Sequence, residues 1–132
     1  MIKYINVRSR QRNEFIDITH EVEAALTESG VTDGMCLVYI PHTTAAVTIN
    51  EGADPSVQRD IITSLSRMVP YEAGYNHKEG NSDAHIKSSM VGSSVCVPVD
   101  SGKLALGTWQ AIYFCEFDGP RHRRAIIKFL HG

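Results

Sequence analysis

The chain has 132 residues, 42% of them hydrophobic, and a formal net charge of −2 at pH 7, which is typical of one globular domain. A charge this close to zero argues against a nucleic-acid-binding surface and against a polybasic membrane patch. No apolar run approaches the ~20 residues that a membrane span needs, and the N-terminal residues lack the apolar core of a signal peptide. We therefore expect one cytoplasmic domain over residues 1–132.

The first predicted elements are a strand, a loop and a helix. Residues 2–7 alternate apolar and polar side chains, as a short strand does, and residues 8–13 form a polar loop with three arginines. Thr19 is a plausible N-cap of a helix, and Gly30 suits the left-handed position that follows its last turn.

Two strands and a second helix follow. Residues 35–40 and 46–50 are rich in β-forming residues, and the second run is predicted to return alongside the first. Asp54 can cap a helix that has Pro55 at its first position, and helical spacing of apolar residues then continues until Pro70.

The remaining residues are predicted to be mostly β-structure. Residues 71–84 form a loop long enough to suggest a function, and residues 86–90 suit a single helical turn. Strands are predicted at 93–99, 103–106, 109–117 and 124–130, with a turn at 118–120. The fold class is α+β, with a mixed or antiparallel β-sheet and two main helices packed on one side of it.

The three cysteines do not point to a disulfide or a metal site. Cys36, Cys96 and Cys115 are odd in number, form no CxxC pair and lie in apolar, β-like runs. This pattern favours buried free thiols in a reducing compartment.

Three histidines lie among short polar residues, where chemistry is expected. His42 follows a predicted strand, and His77 and His85 bracket a nine-residue polar segment. Histidine can bind a metal ion or move protons near neutral pH. A hydrogen-bonded histidine at the rim and a solvated polar loop remain the alternative interpretations.

Other candidates are weaker when each is taken alone. Glu51 suits a general base or a metal ligand if it lies near His42, and otherwise a surface carboxylate. Lys87, near a predicted helix start, can hold phosphate.

The C-terminal half adds an aromatic and a cationic candidate. Trp109 can form a wall for a planar ring while Gln110 reads the polar edge of that ring, although core packing explains a tryptophan equally well. Arg121 lies in a tight turn and suits either an ion pair that fixes the turn or anion binding.

Together these segments resemble the YjbQ family, also called the secondary thiamine-phosphate synthase family. The resemblance covers nearly the whole chain. The strings that carry it are Asp17-Ile18-Thr19, His42-Thr43-Thr44-Ala45-Ala46, Ile49-Asn50-Glu51, Asp54-Pro55, Ala84-His85-Ile86-Lys87 and Gly107-Thr108-Trp109-Gln110.

The resemblance implies a YjbQ-like homotrimer with clefts near the subunit boundaries and a weak thiamine phosphate synthase activity. That reaction joins hydroxymethylpyrimidine diphosphate to thiazole phosphate with loss of diphosphate. The resemblance implies a polar cluster made of His42, Asn50, Glu51, Asp54, His77, Asn81, His85, Trp109 and Gln110. For this reaction we expect His42, Glu51 and His85 to be catalytic. We expect Thr43, Asn50, Asn81, Lys87, Trp109, Gln110 and Arg121 to bind substrate.

The resemblance also raises the expectation of a divalent metal ion, either zinc, magnesium or manganese, bound by His42, His77 and His85. Two other functions stay open. One is metal-dependent hydrolysis of a small phosphorylated metabolite, and the other is a non-catalytic trimer that binds a metabolite. We expect no nucleic acid and no membrane among the partners.

Overall fold

A computed structural model describes all 132 residues and contains eight strands and three helices. The strands are β1 (Ile2–Arg8), β2 (Glu14–Asp17), β3 (Asp33–Tyr39), β4 (Ala45–Glu51), β5 (Ser94–Asp100), β6 (Lys103–Leu104), β7 (Gln110–Glu116) and β8 (His122–His131). The helices are α1 (Thr19–Ser29), α2 (Pro55–Met68) and α3 (Ser82–Val91).

The strands form two sheets in which every pair is antiparallel. One sheet has five strands in the order β1-β8-β3-β5-β6, and the other has three in the order β2-β7-β4. The α+β class is therefore confirmed with antiparallel pairing alone. The prediction that β4 returns alongside β3 is wrong, because the chain crosses between the sheets after Pro41 and β4 pairs with β7.

The main core lies between the two sheets and α1. It contains 18 buried apolar residues, among them Val22, Val38, Phe114 and Ile127. Each such side chain contributes about 1.5–3 kcal/mol when it leaves water. A second cluster of seven residues lies on the other face of the three-stranded sheet, beneath α2 and α3. Both faces of that sheet are therefore covered.

Two helix starts depend on aspartate side chains. Asp54 Oδ1 accepts a hydrogen bond from Ser56 N at 3.0 Å, and Pro55 is the first residue of α2, as predicted. At α1 the predicted cap at Thr19 is wrong. Asp17 Oδ1 accepts from Thr19 N at 2.9 Å, while Thr19 Oγ1 accepts from Ile112 N at 2.9 Å and so joins α1 to β7.

Helix α3 is longer than the single turn predicted for 86–90. Its buried face carries Asp83, Lys87 and Ser88, with Ala84 as the apolar member. The helix therefore lacks the apolar periodicity from which its length could be predicted. The domain has three helices rather than two main ones, and none of them is long and apolar enough to cross a membrane.

All three cysteines are free, but only two are buried. Burial raises the pKa of the Cys36 thiol to about 12, and burial also raises the pKa of Cys115. Cys96 is exposed on β5, so the prediction of three buried thiols is wrong at that position.

Candidate functional site

The connection between β3 and β4 brings His42 to the boundary between the two sheets. The connection is held on both sides by backbone hydrogen bonds, since Ile40 N donates to Ser93 O at 2.8 Å and Phe117 N donates to Thr44 O at 3.2 Å. His42 Nε2 accepts a hydrogen bond from Arg124 N at 3.0 Å. The half-buried ring is therefore fixed by the backbone of β8.

The same bond determines the chemistry that His42 offers. Burial, and then the positive charge of Arg123, lower the pKa of His42 below 6.5, so the ring is neutral at pH 7. A neutral ring that accepts at Nε2 carries its proton on Nδ1. His42 thus offers a hydrogen-bond donor, and a role as metal ligand requires the bond to Arg124 N to break.

His77 and His85 lie side by side at the start of α3. Their ring centroids are 5.4 Å apart in an edge-to-face arrangement, and His77 Nε2 lies 4.0 Å from Glu79 Oε2. The loop before α3 folds back over the first turn of the helix, which brings the two ends of the nine-residue segment together. The two histidines that bracket the polar segment are thus neighbours in space.

The three histidines surround one concave surface, which we call the histidine groove. One part, with a volume of about 370 Å³, is lined by His42, Thr43 and His85. The adjoining part, of about 320 Å³, is lined by Thr43, Thr44, His77, Glu79, Asn81, His85, Asp118, Arg121 and Arg123. The groove therefore combines imidazoles, hydroxyls and guanidinium groups in one chain.

Asn81 contributes an unused acceptor to this groove. Its Nδ2 donates to Asp118 Oδ2 at 2.9 Å, whereas its Oδ1 is buried without a hydrogen-bond partner. A buried carbonyl oxygen that lacks a partner is costly. Because the atom is buried, a donor in the groove reaches it only if the side chain moves.

A buried ion pair supports the floor of the groove. Arg123 Nε and Nη2 donate to the two carboxylate oxygens of Glu116 at 2.9 and 2.5 Å, and Ser9 Oγ donates to Glu116 at 2.6 Å. Burial opposes ionisation of Glu116, but these hydrogen bonds outweigh it, so its pKa lies below 4.5. Arg123 also donates to Thr44 Oγ1 at 2.8 Å, which ties the pair to the groove.

Lys87 does not reach the groove, which corrects its predicted role in binding substrate. The side chain is 2% exposed, and Nζ donates to Asn13 Oδ1 at 3.0 Å and to Ser66 Oγ at 3.2 Å, with Asp83 Oδ2 3.7 Å away. Burial lowers its pKa. Lys87 therefore joins α3 to α2 and to the loop after β1.

Four other predicted site residues lie where β4 ends and β7 begins, away from the histidine groove. We call this region the tryptophan end. Its members are Asn50, Glu51, Trp109 and Gln110. Glu51 pairs with Gln110, whereas Ala45, beside the groove, pairs with Glu116. Since seven strand residues span about 20 Å, the tryptophan end does not contact the histidine groove of the same chain. The expectation of Glu51 near His42 is therefore wrong within one chain.

Polar groups at the tryptophan end bind the local backbone. Glu51 Oε2 accepts from Ala53 N at 2.9 Å, Asn50 Oδ1 from Glu51 N at 2.8 Å, and Gln110 Oε1 from Gly107 N at 2.8 Å. Trp109 is 64% exposed, so the alternative of core packing is wrong. An exposed indole remains free to contact a ligand or another protein.

The predicted metal ligands do not form a complete set. The rings of His77 and His85 are adjacent, but His42 is bound to Arg124 N, and no group of three or more His, Cys, Asp or Glu side chains is arranged to hold a metal ion. The two adjacent imidazoles alone do not make such a set.

Sequence reasoning missed the basic residues next to the groove. Arg8, Arg10 and His122 line an adjoining cavity together with Arg121. The sequence does contain a pattern that could have pointed to them, because every second residue from 8 to 12 is an arginine. Their significance depends on the pairing of β1 with β8, which the sequence does not reveal.

A family model described as "UPF0047 protein YjbQ-like" matches residues 3–132. UPF0047 protein YugU of Bacillus subtilis is 53% identical over 131 residues, which cover 98% of this chain and 99% of that protein. A UPF0047 protein of Methanocaldococcus jannaschii is 51% identical, with 98% and 94% covered. A YjbQ/UPF0047 family protein from Clostridium acetobutylicum, known from a crystal structure, is 52% identical to this chain, and the two structures have a TM-score of 0.96. The match covers 97% of this chain and 99% of that protein's chain.

Proposed function

Because this chain belongs to the YjbQ-like UPF0047 family, we propose that it is an enzyme that acts on small phosphorylated molecules in the histidine groove. The observation that carries the proposal is the placement of His77 and His85, with rings 5.4 Å apart, in one groove with Arg121 and Arg123. Groups that move protons therefore lie beside groups that bind phosphate.

The proposed reaction is thiamine phosphate synthesis. The thiazole nitrogen forms a bond to the methylene carbon of hydroxymethylpyrimidine diphosphate, and the bond from that carbon to the diphosphate oxygen breaks. Negative charge then accumulates on the departing diphosphate, so a catalyst must supply positive charge or hydrogen-bond donors there. Arg121 and the Nδ1–H of His42 are the proposed donors, and His85 is the proposed proton-transfer group.

Thr43 and Asn81 are the proposed contacts to the rest of the substrate. Thr43 lines both parts of the groove, so its hydroxyl lies where the two parts meet. The Oδ1 of Asn81 is buried without a partner, and a shift of the side chain would let it accept from an amino group such as that of the pyrimidine. These two contacts would orient the ring relative to His85.

A divalent cation bound by His77 and His85 is the proposed cofactor in an alternative arrangement, in which His85 is a metal ligand rather than the proton-transfer group. Such an ion would supply positive charge to the phosphate groups. Titration of chelator-treated protein with zinc, magnesium or manganese, followed by the ring signals of the two histidines, tests this part. Unchanged signals with all three ions would reject it.

A homotrimer is part of the same proposal, because one chain leaves a large apolar face uncovered. The exposed outer surface of the five-stranded sheet carries Tyr4, Met35, Tyr39 and Leu130, and large exposed apolar patches mark interfaces. In such an assembly, the tryptophan end of one subunit would be able to contact the histidine groove of a neighbouring subunit. Sedimentation equilibrium tests the assembly, and a monomer at micromolar concentration would reject it.

A cytoplasmic location accompanies the proposal. Three cysteines without a disulfide are in keeping with a reducing compartment.

Metal-assisted hydrolysis of a small phosphorylated metabolite is the second candidate, favoured by one specific contact. Glu79 Oε2 lies 4.0 Å from His77 Nε2 beside His85. A carboxylate next to two imidazoles suits activation of a water molecule. This arrangement does not require a second substrate.

The decisive experiment follows both products with the purified full chain. We expect thiamine phosphate and diphosphate to appear in equal amounts from the two substrates. His85→Ala should abolish turnover while the fold is retained, and His20→Ala on α1 is the matched control because its ring is exposed outside the groove. Diphosphate or phosphate released without thiamine phosphate would favour the hydrolase, and full activity in His85→Ala would reject the role of His85.

A further inference from the structure

The end of β1 and the start of β8 place four basic side chains around one cavity. Arg8 pairs with His122 in the sheet register. Ser9 is buried and lies between the exposed Arg8 and Arg10, so these two arginines extend to the outside. With Arg121 they line a cavity of about 610 Å³ to which no acidic residue contributes. We call this cavity the arginine groove.

The positive charge in the arginine groove is mostly uncompensated. Arg8 and Arg10 form no side-chain hydrogen bond or ion pair, whereas Arg121 is paired with Asp118 at 3.0 Å. The nearby carboxylate of Glu14 instead accepts from the backbone N–H groups of Arg10 and Gln11. Such a concentration of free guanidinium groups in a chain with a net charge of −2 calls for an anionic ligand.

Backbone contacts fix the relative position of the two segments that carry these arginines. Ser9 N donates to Arg121 O at 3.0 Å, and Arg121 N donates to Ser9 Oγ at 2.8 Å. The same hydroxyl donates to the buried Glu116 at 2.6 Å. A site that is ordered in advance loses less entropy on binding.

The arginine groove adjoins the histidine groove. Arg121 lines both cavities, and Arg8 and His122 also line a third cavity that includes His42. A molecule whose charged end lies among the arginines would therefore extend towards the histidines.

We propose that the arginine groove binds a diphosphate, or two phosphate groups of one small molecule, and so anchors the charged end of the substrate. This assignment rests on the proposed function in so far as the remainder of the ligand reacts in the histidine groove. Guanidinium groups recognise phosphate oxygens in a bidentate manner. Four basic side chains in one short cavity suit a compact polyanion, whereas a nucleic acid needs contacts along an extended strip.

Calorimetry with inorganic diphosphate on the full chain tests the site. We expect the dissociation constant to rise about tenfold in Arg8→Gln and in Arg10→Gln, and further in the double variant, because each change removes a charge-assisted hydrogen bond. Arg59→Gln and Arg67→Gln, two exposed positions on α2, are matched controls and should bind as the unmodified chain does. All four changes lie at exposed positions, and circular dichroism verifies that the fold is retained.

Two results would overturn the proposal. The first is unchanged diphosphate binding in the double variant. The second is a short single-stranded oligonucleotide that binds more tightly than diphosphate and is lost in the same variants.

The two proposals can fail separately. If Arg8→Gln and Arg10→Gln weaken diphosphate binding while no substrate is turned over, the arginine groove is supported and the proposed function fails. If His85→Ala abolishes turnover but the arginine variants bind diphosphate normally, the proposed function is supported and the arginine groove fails as an anion site.

Discussion

The two ends of β4 satisfy their polar side chains in different ways. Beside the histidine groove, Glu116 and Arg123 form a buried ion pair that also binds Ser9 and Thr44, so residues from distant parts of the chain depend on one another. At the tryptophan end, the side chains bind backbone N–H groups of their own turns. The polar side chains beside the groove are thus held by residues from distant parts of the chain, and those at the tryptophan end by backbone groups of their own turns.

Removal of the buried charge should have the largest effect. Glu116→Gln leaves Arg123 buried without its counter-charge, so we expect the free energy of unfolding to fall by about 3 kcal/mol. Glu51→Gln, its counterpart at the tryptophan end, should cost less than about 1 kcal/mol. Urea denaturation measures both. Equal losses would show that the two ends do not differ as described.

The buried lysine should have an intermediate effect. Lys87→Met keeps the length of the side chain but removes the bonds to Asn13 and Ser66, so we expect a loss of about 1–3 kcal/mol in unfolding free energy. Lys103→Met on β6, where the side chain is exposed, should change stability by less than about 0.5 kcal/mol. Diphosphate binding should be unaffected by Lys87→Met, and a large loss of binding in a stable Lys87→Met protein would restore its predicted role as a ligand.

Low pH should reduce the stability that the ion pair beneath the histidine groove provides. The pKa of Glu116 in the folded chain lies below 4.5, so its contribution to stability is complete above 4.5 and is lost as the pH falls through the folded value. The unmodified chain should therefore lose more unfolding free energy between about pH 6 and about pH 3 than Glu116→Gln does. Parallel urea titrations at the two pH values measure this difference, and identical losses would contradict it.

The smallest effect on stability is expected at the tryptophan end. Trp109→Ala removes a side chain that is 64% exposed, so the free energy of unfolding should change by about 0.5 kcal/mol or less. If the partner subunit's Trp109 stacks on the pyrimidine in a homotrimer, KM for that substrate rises about tenfold while kcat is retained. Steady-state kinetics measure both constants, and an unchanged KM would remove Trp109 from the proposed site.

The helices show what could be predicted from sequence. Helix α2 has an aspartate cap, a proline at its first position and a proline after its end, and each acts through local geometry. Helix α3 directs Asp83 and Lys87 inwards, so its buried face is polar. Its stability depends on partners such as Arg12 and Asn13, about 70 residues earlier in the chain, and a local pattern contains no information about them.

In the candidate site, too, local features could be predicted from the sequence and long-range contacts could not. His77 and His85 could be singled out from the sequence because both bracket one short polar segment, which keeps them close along the chain. The separation of Glu51 and Trp109 from His42 depends on which strand β4 pairs with and in which register, and its β-forming residues suit either sheet. The substrate-binding role predicted for Lys87 is wrong because the sequence around a lysine near a helix start does not show whether its side chain faces solvent or the interior.

The different burial of the three cysteines allows one of them to be labelled selectively. Thiol reagents attack the thiolate. Burial raises the pKa of Cys36 and Cys115 and also shields both thiols from a reagent, whereas the Cys96 thiol is exposed. A maleimide dye or a nitroxide should therefore modify the folded chain once, on β5 of the five-stranded sheet. Cys96 pairs with Leu37 on the face of the sheet that also carries Met35 and Tyr39, so slower labelling of an assembled protein would show that this face is covered.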